Sequence, residues 1–151
     1  QQKTLWNEIV GSAAVTFLGS ISFAMLHSAL DHRLFILWIT LILHFLPNVF
    51  YVRMRIRATR TDAQISGWVE KIKFALPAIL AAALAIGIAV VGVFAQWMPP
   101  AILVAYCITL PRLVIGIRQL GKKFPVKRLG WSEVGHSIIF AVIQSLVGLP
   151  F

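Results

Sequence analysis

Tyr51 to Arg60 reads YVRMRIRATR, four arginines in ten residues. It follows on an eighteen-residue stretch, Phe35 to Val52, whose only acid or base is His44. A run of that length and polarity, ending in that much positive charge, has the pattern of a membrane-crossing helix stopped at anionic headgroups. Whether the stretch is read as a stop or as the continuation of a helix decides the fold.

Composition points the same way. Of 151 residues, 59% are hydrophobic and 13% charged, against roughly half and a quarter in an ordinary globular domain. The formal charge is +9, from fourteen Lys and Arg against five Asp and Glu. Basic residues lie between apolar runs, with no zinc-finger spacing and no aromatic RNA-binding signature, so nucleic acid is excluded as the partner. The single Cys107 excludes an intrachain disulfide.

Apolar length predicts an all-α, multi-span transmembrane bundle in one domain, 1–151. Its five crossings lie at about 9–30, 34–52, 74–94, 99–117 and 132–149, each near the 17–25 residues that a roughly 30 Å hydrocarbon core requires. With five crossings, the connection carrying Arg53, Arg55, Arg57, Arg60, Lys71 and Lys73 and the one carrying Arg118, Lys122, Lys123, Lys127 and Arg128 share one side. The positive-inside rule makes that side cytoplasmic, together with the amino terminus.

Ser12, Thr16, Ser20, Ala24 and Ser28 recur every fourth residue, and Ala81, Ala85 and Ala89 repeat the rhythm. Small side chains on one helix face let another backbone come close. They predict packing seams, filled by helices of this chain or of another membrane subunit.

Polar groups inside apolar runs are the candidate sites. Arg112, beside Pro111, falls near the middle of the fourth run, where an unpartnered guanidinium is costly. It reads either as a group reaching the interface or as an anion or headgroup site with Arg118 and the basic run Arg53, Arg55 and Arg57, with Glu8 or Glu133 as its counter-charge. His44 has Asn48 one turn along the same face and is a candidate haem or chlorin ligand, or an interhelical hydrogen-bond partner. His27, His44 and His136 fall at three different depths of the expected bundle, which speaks against a bis-histidine haem. No metal site is predicted, and the chain carries no GxxxxGK[ST], HExxH, CxxC or GxSxG. Asp31, Asp62 and Glu70 are too scattered for a paired-carboxylate magnesium site.

The Tyr51–Val52–Arg53 terminus of an apolar run, LPRLVIG at 110–116 with Pro111 and Arg112, and PVKRLGWSEVGHSIIFA at 125–141, with Pro125, Lys127 or Arg128, Gly130 and Glu133, together resemble the bacterial YwiC-like membrane protein family. The resemblance implies an all-helical, multi-span protein of the bacterial inner membrane. It also implies that this chain corresponds to the carboxyl-terminal part of a longer one, since family members begin with further spans.

The functional expectation is a non-enzymatic integral membrane protein that packs with or stabilises other membrane subunits, in contact with lipid. Its alternatives are a carrier or lipid-modifying enzyme for an anionic or isoprenoid substrate, and a pigment- or haem-binding subunit.

Overall fold

The computed structural model describes residues 2–27, 32–60, 65, 67–100, 102–122 and 125–147. They form α1 (Gln2–His27), α2 (His32–Arg60), α3 (Trp68–Phe94), α4 (Ile102–Cys107), α5 (Thr109–Arg118) and α6 (Val126–Val147). Helix α2 is central, packed along α1 on one side and α3 on the other, with smaller contacts to α5 and α6. Helix α3 also meets α4 and α5, and α6 rests mainly on α4.

YVRMRIRATR is not a stop. Helix α2 runs unbroken through it to Arg60, and Met54 and Arg55 are buried. Arg55 Nη1 donates to the Gly116 carbonyl at 3.0 Å and Nη2 to Gln119 Oε1 at 3.4 Å. Lys71 Nζ donates to the Arg118 carbonyl at 3.2 Å. The last carbonyls of a helix lack intrahelical donors and carry partial negative charge, so two cations expected at headgroups instead finish the carboxyl end of α5. Arg57 lies over the Phe74 ring, 5.4 Å from its centroid.

The buried face of α3 is Ala75, Ala78, Ala81, Ala82, Ala85, Ala89 and Gly92; all but Ala81 are spaced alternately three and four residues apart. That spacing keeps one narrow face toward a neighbour along the whole helix. Its first half packs with Met54, Ile65, Leu113, Ile117 and Leu120. Its second half packs with Leu43, Met98, Ile102, Ala105, Tyr106 and Phe140. Leu76, Leu80, Leu84, Ile88 and Val91 form the exposed opposite face.

The fourth expected crossing is two helices. Pro111 has no N–H to give the Cys107 carbonyl four residues back, and the helical hydrogen bonding is interrupted there, dividing α4, with 6 residues, from α5, with 10, while Ile108 between them keeps helical backbone (φ −65°, ψ −24°). Pro111 then sits in the first turn of α5, where its missing donor costs nothing.

The expectation of five membrane crossings is therefore overturned. Among the described residues, two helices are long and apolar enough to cross a membrane, Phe35–Thr59 and Trp68–Phe94, with 33% of each tested stretch buried. The architecture is an all-α bundle with extensive packing between its own helices. The expected lipid and membrane-subunit partners, and the multi-pass inner-membrane location, are corrected with it. The α3 alanines are covered from within by α2, α4 and α5, and α1 packs on α2, with Ser12 and Thr16 of its seam also bordering an open cleft. Thr16 and Ser20 of the first seam are buried, with hydroxyls donated to the Ala13 and Thr16 carbonyls at 2.9 Å. The Ala24 side chain and Ser28 lie outside the described residues.

Two turns carry backbone in the left-handed region. At the end of α3, Gln96 (φ 60°) donates its N–H to the Val93 carbonyl at 3.0 Å, while Trp97 N–H reaches the Gly92 carbonyl at 2.8 Å. This is the Schellman pattern, with glutamine where glycine is the usual choice. After α5, Gly121 has φ +86°, and a Cβ there would stand 2.8 Å from the Ile65 carbonyl oxygen. Gln96→Gly is expected to stabilise the fold by about 0.5–1 kcal/mol, and Gly121→Ala to destabilise it by about 1–2 kcal/mol. Thermal unfolding would show a rise of about 2 °C in the first variant and a clear fall in the second.

Candidate functional site

Three helices bring polar side chains to one place. Helix α2 contributes His44, Asn48 and Tyr51, one turn apart; α5 contributes Arg112; α6 contributes Glu133 and His136. Arg112 joins them. Its Nη1 donates to Asn48 Oδ1 at 2.7 Å, its Nη2 is in ion-pair contact with Glu133 Oε1 without hydrogen-bond alignment, and its guanidinium carbon lies 4.2 Å from the Tyr51 ring centroid. The Tyr51 ring is seated against Gly116, where any Cβ would collide with it. A guanidinium offers only donors, so everything facing it must accept.

That constraint fixes the next two groups. Because Asn48 Oδ1 receives from Arg112, its Nδ2 is the atom facing His44 Nε2, at 3.2 Å. The amide nitrogen can only donate, so Nε2 holds a lone pair and the His44 proton sits on Nδ1. The ring lies against Phe140, with centroids 3.6 Å apart, and against His136 at 5.4 Å. Burial, then the neighbouring His136 and Arg112, hold His44 down at about 3 from an ordinary 6.5. Burial, then Arg112, hold His136 at about 4. Burial raises Glu133 above its ordinary 4.5, against the opposing pull of Arg112.

A cleft opens beside this cluster. It has a volume of about 550 Å³ and lies between α1, α2 and α6. Helix α1 packs on α2 rather than on α6, and the space between the two is the cleft. Val15, Phe45, Val49, Val52 and Ile56 make apolar walls, while Asn48, Glu133, Ser137 and Thr16 supply polar atoms and Arg53 lies one and a half turns along α2 from Asn48. A volume of several hundred Å³ with apolar walls and a few convergent polar groups is the usual form of a small-molecule site.

The residues singled out from the sequence are thus divided. Of the five arginines read as an anion site, Arg53 lines the cleft, Arg112 forms its floor through Asn48 and Glu133, Arg55 and Arg57 serve packing contacts, and Arg118 is exposed. They do not form one cluster. Glu133, one of the two acids named as counter-charge, is the partner of Arg112; the Glu8 side chain lies outside the described residues. His44 is buried, stacks on Phe140 and His136 of α6, has Nε2 engaged by Asn48, and lines neither the cleft nor the small cavity beside Asn48 and Arg112. That is the geometry of an interhelical contact. The different depths assigned to His44 and His136 are corrected. Helix α6 starts at Val126 instead of about 132, which places His136 about 15 Å into it and beside His44. No group of three metal-ligating side chains occurs among the described residues. Tyr51, Arg112 and Glu133, one from each of the three motifs quoted above, meet at this cluster. Comparison with family models, curated proteins and solved structures returns no match.

Removing one partner of the ion pair leaves the other charge half-buried. Arg112→Met is expected to cost about 3 kcal/mol in chemical denaturation, and Arg112→Met with Glu133→Gln to recover more than half of it. Both histidines have lowered values in the fold, so their contribution is complete above pH 6.5 and is lost as pH falls toward about 4 and 3. Glu133, being raised, acts in the opposite sense: its contribution is complete below 4.5 and is lost as pH rises through its folded value. Unfolding free energy should decline from pH 6.5 toward 4, by up to about 1.4 kcal/mol per unit for each histidine. His136→Phe should roughly halve that slope.

Proposed function

We propose that this chain binds a small, largely apolar molecule in the cleft between α1, α2 and α6. The supporting observation is the cleft itself: about 550 Å³ with walls of Val15, Phe45, Val49, Val52 and Ile56, and a polar floor at Asn48 and Glu133. Arg112 keeps that floor rigid from behind, since Asn48 and Glu133 are held on neighbouring nitrogens of its guanidinium. A site whose polar atoms are positioned before a ligand arrives loses little to reorganisation on binding. The apolar walls provide affinity and the floor provides orientation.

The reading places the activity in recognition. His44 does not line the cleft, and Glu133 is engaged by Arg112.

N-phenyl-1-naphthylamine, an uncharged fluorescent probe, should bind saturably at one site per chain. Val49→Trp, which fills the cleft, should abolish that binding while the helical circular dichroism is kept. Leu84→Gln, on the exposed face of α3, should leave it unchanged. Equal binding by the parent and by folded Val49→Trp would refute the reading.

A further inference from the structure

Resting on that reading, we infer that the ligand of the cleft is an uncharged molecule whose polar end is a hydroxyl, an alcohol or a phenol, seated between Glu133 and Asn48.

The inference follows from which hydrogen-bonding capacity is already spent. Asn48 Oδ1 is occupied by Arg112 and one Nδ2 hydrogen by His44. An amide nitrogen has two hydrogens and an amide oxygen two lone pairs, so Asn48 can still offer one donor and one acceptor position. Glu133 meets Arg112 through Oε1 in an ion-pair contact without hydrogen-bond alignment, so its carboxylate, on a residue that lines the cleft, can still accept. Thr16 has given its hydroxyl hydrogen to the Ala13 carbonyl and can only accept. Ser137 can turn either way and does not discriminate. The floor therefore presents one donor, on Asn48, beside acceptor positions on Asn48 and Glu133, the two residues held on adjacent nitrogens of the same guanidinium.

A hydroxyl is the group that answers both at once, since it gives one proton and receives on its lone pairs. A carbonyl would meet Asn48 and leave the carboxylate unmet. A carboxylate seated on this floor would stand against the Glu133 carboxylate, with the Arg53 cation farther along the wall. An ammonium would meet an acid whose charge Arg112 already balances, with Arg53 on the same wall. The apolar body lies along Phe45, Val49 and Val52, away from all of these.

Three probes of one shape test this in the unmodified chain: 2-naphthol, 2-methylnaphthalene and 2-naphthoate, each competing against bound N-phenyl-1-naphthylamine at neutral pH. The naphthol should displace it at a concentration about tenfold lower than the methylnaphthalene, as expected for one hydrogen bond to a charged acceptor, and the naphthoate should be weakest. In Arg112→Met with Glu133→Leu, naphthol should lose its advantage over methylnaphthalene. Equal displacement by all three, or tightest displacement by naphthoate, overturns the hydroxyl assignment and leaves the cleft in place. If the reporter fails to bind in a Val49-dependent way, the cleft reading fails first and this inference with it.

Discussion

Arg112 is a residue that cannot accept a hydrogen bond, placed where three helices cross. Each group it touches is thereby obliged to present an oxygen or a π face, and each obligation is met from a different element: Asn48 and Tyr51 from α2, Glu133 from α6. Since α6 otherwise leans mainly on α4, the ion pair is its polar attachment to the α2–α5 side of the bundle. The tautomer of His44 and the free valences of the cleft floor are downstream of that one guanidinium. Buried ion pairs are often no more stable than apolar replacements, and specifying which atoms face the cleft is the role left for this one.

The apolar runs were legible as helices, and the small-residue rhythm was legible as packing. The alanines at 81, 85 and 89 are buried, as their spacing required, though the true seam alternates threes and fours from Ala75 to Gly92. What misled was the meaning of charge. Arg53, Arg55 and Arg57 after an apolar run look identical in sequence whether they face headgroups or the carboxyl end of another helix sixty residues on. The acceptor that decides, the Gly116 carbonyl, is a backbone atom and carries no sequence signal. Only the third dimension puts it within 3.0 Å of Arg55.

The same limit explains the histidines. His44 and Asn48 at one helical turn were readable as a pair, and their bond is present. His136 was set apart because α6 was started at the apolar residues, whereas the helix takes in the basic turn from Val126 as well. Charged first turns are poor boundaries: Glu70 and Lys71 likewise lie inside α3, which begins at Trp68. Pro111 divides one apolar run into two short helices by the hydrogen bond it cannot give, while Ile108 between them keeps helical backbone. The cleft had no signature at all, being a space left where α1 and α6 lean on α2 and not on each other.

The alanine seam of α3 has a consequence for how the bundle is ordered. A methyl group has no rotamers to lose, so the whole inner face of the longest apolar helix is immobilised at almost no side-chain entropy. The restriction falls on the long flexible residues that meet it, Met54, Met98, Leu43 and Leu113, and they can settle into whatever shape the smooth surface offers. In that sense α3 serves as a mould, and the side chains around it are the casting.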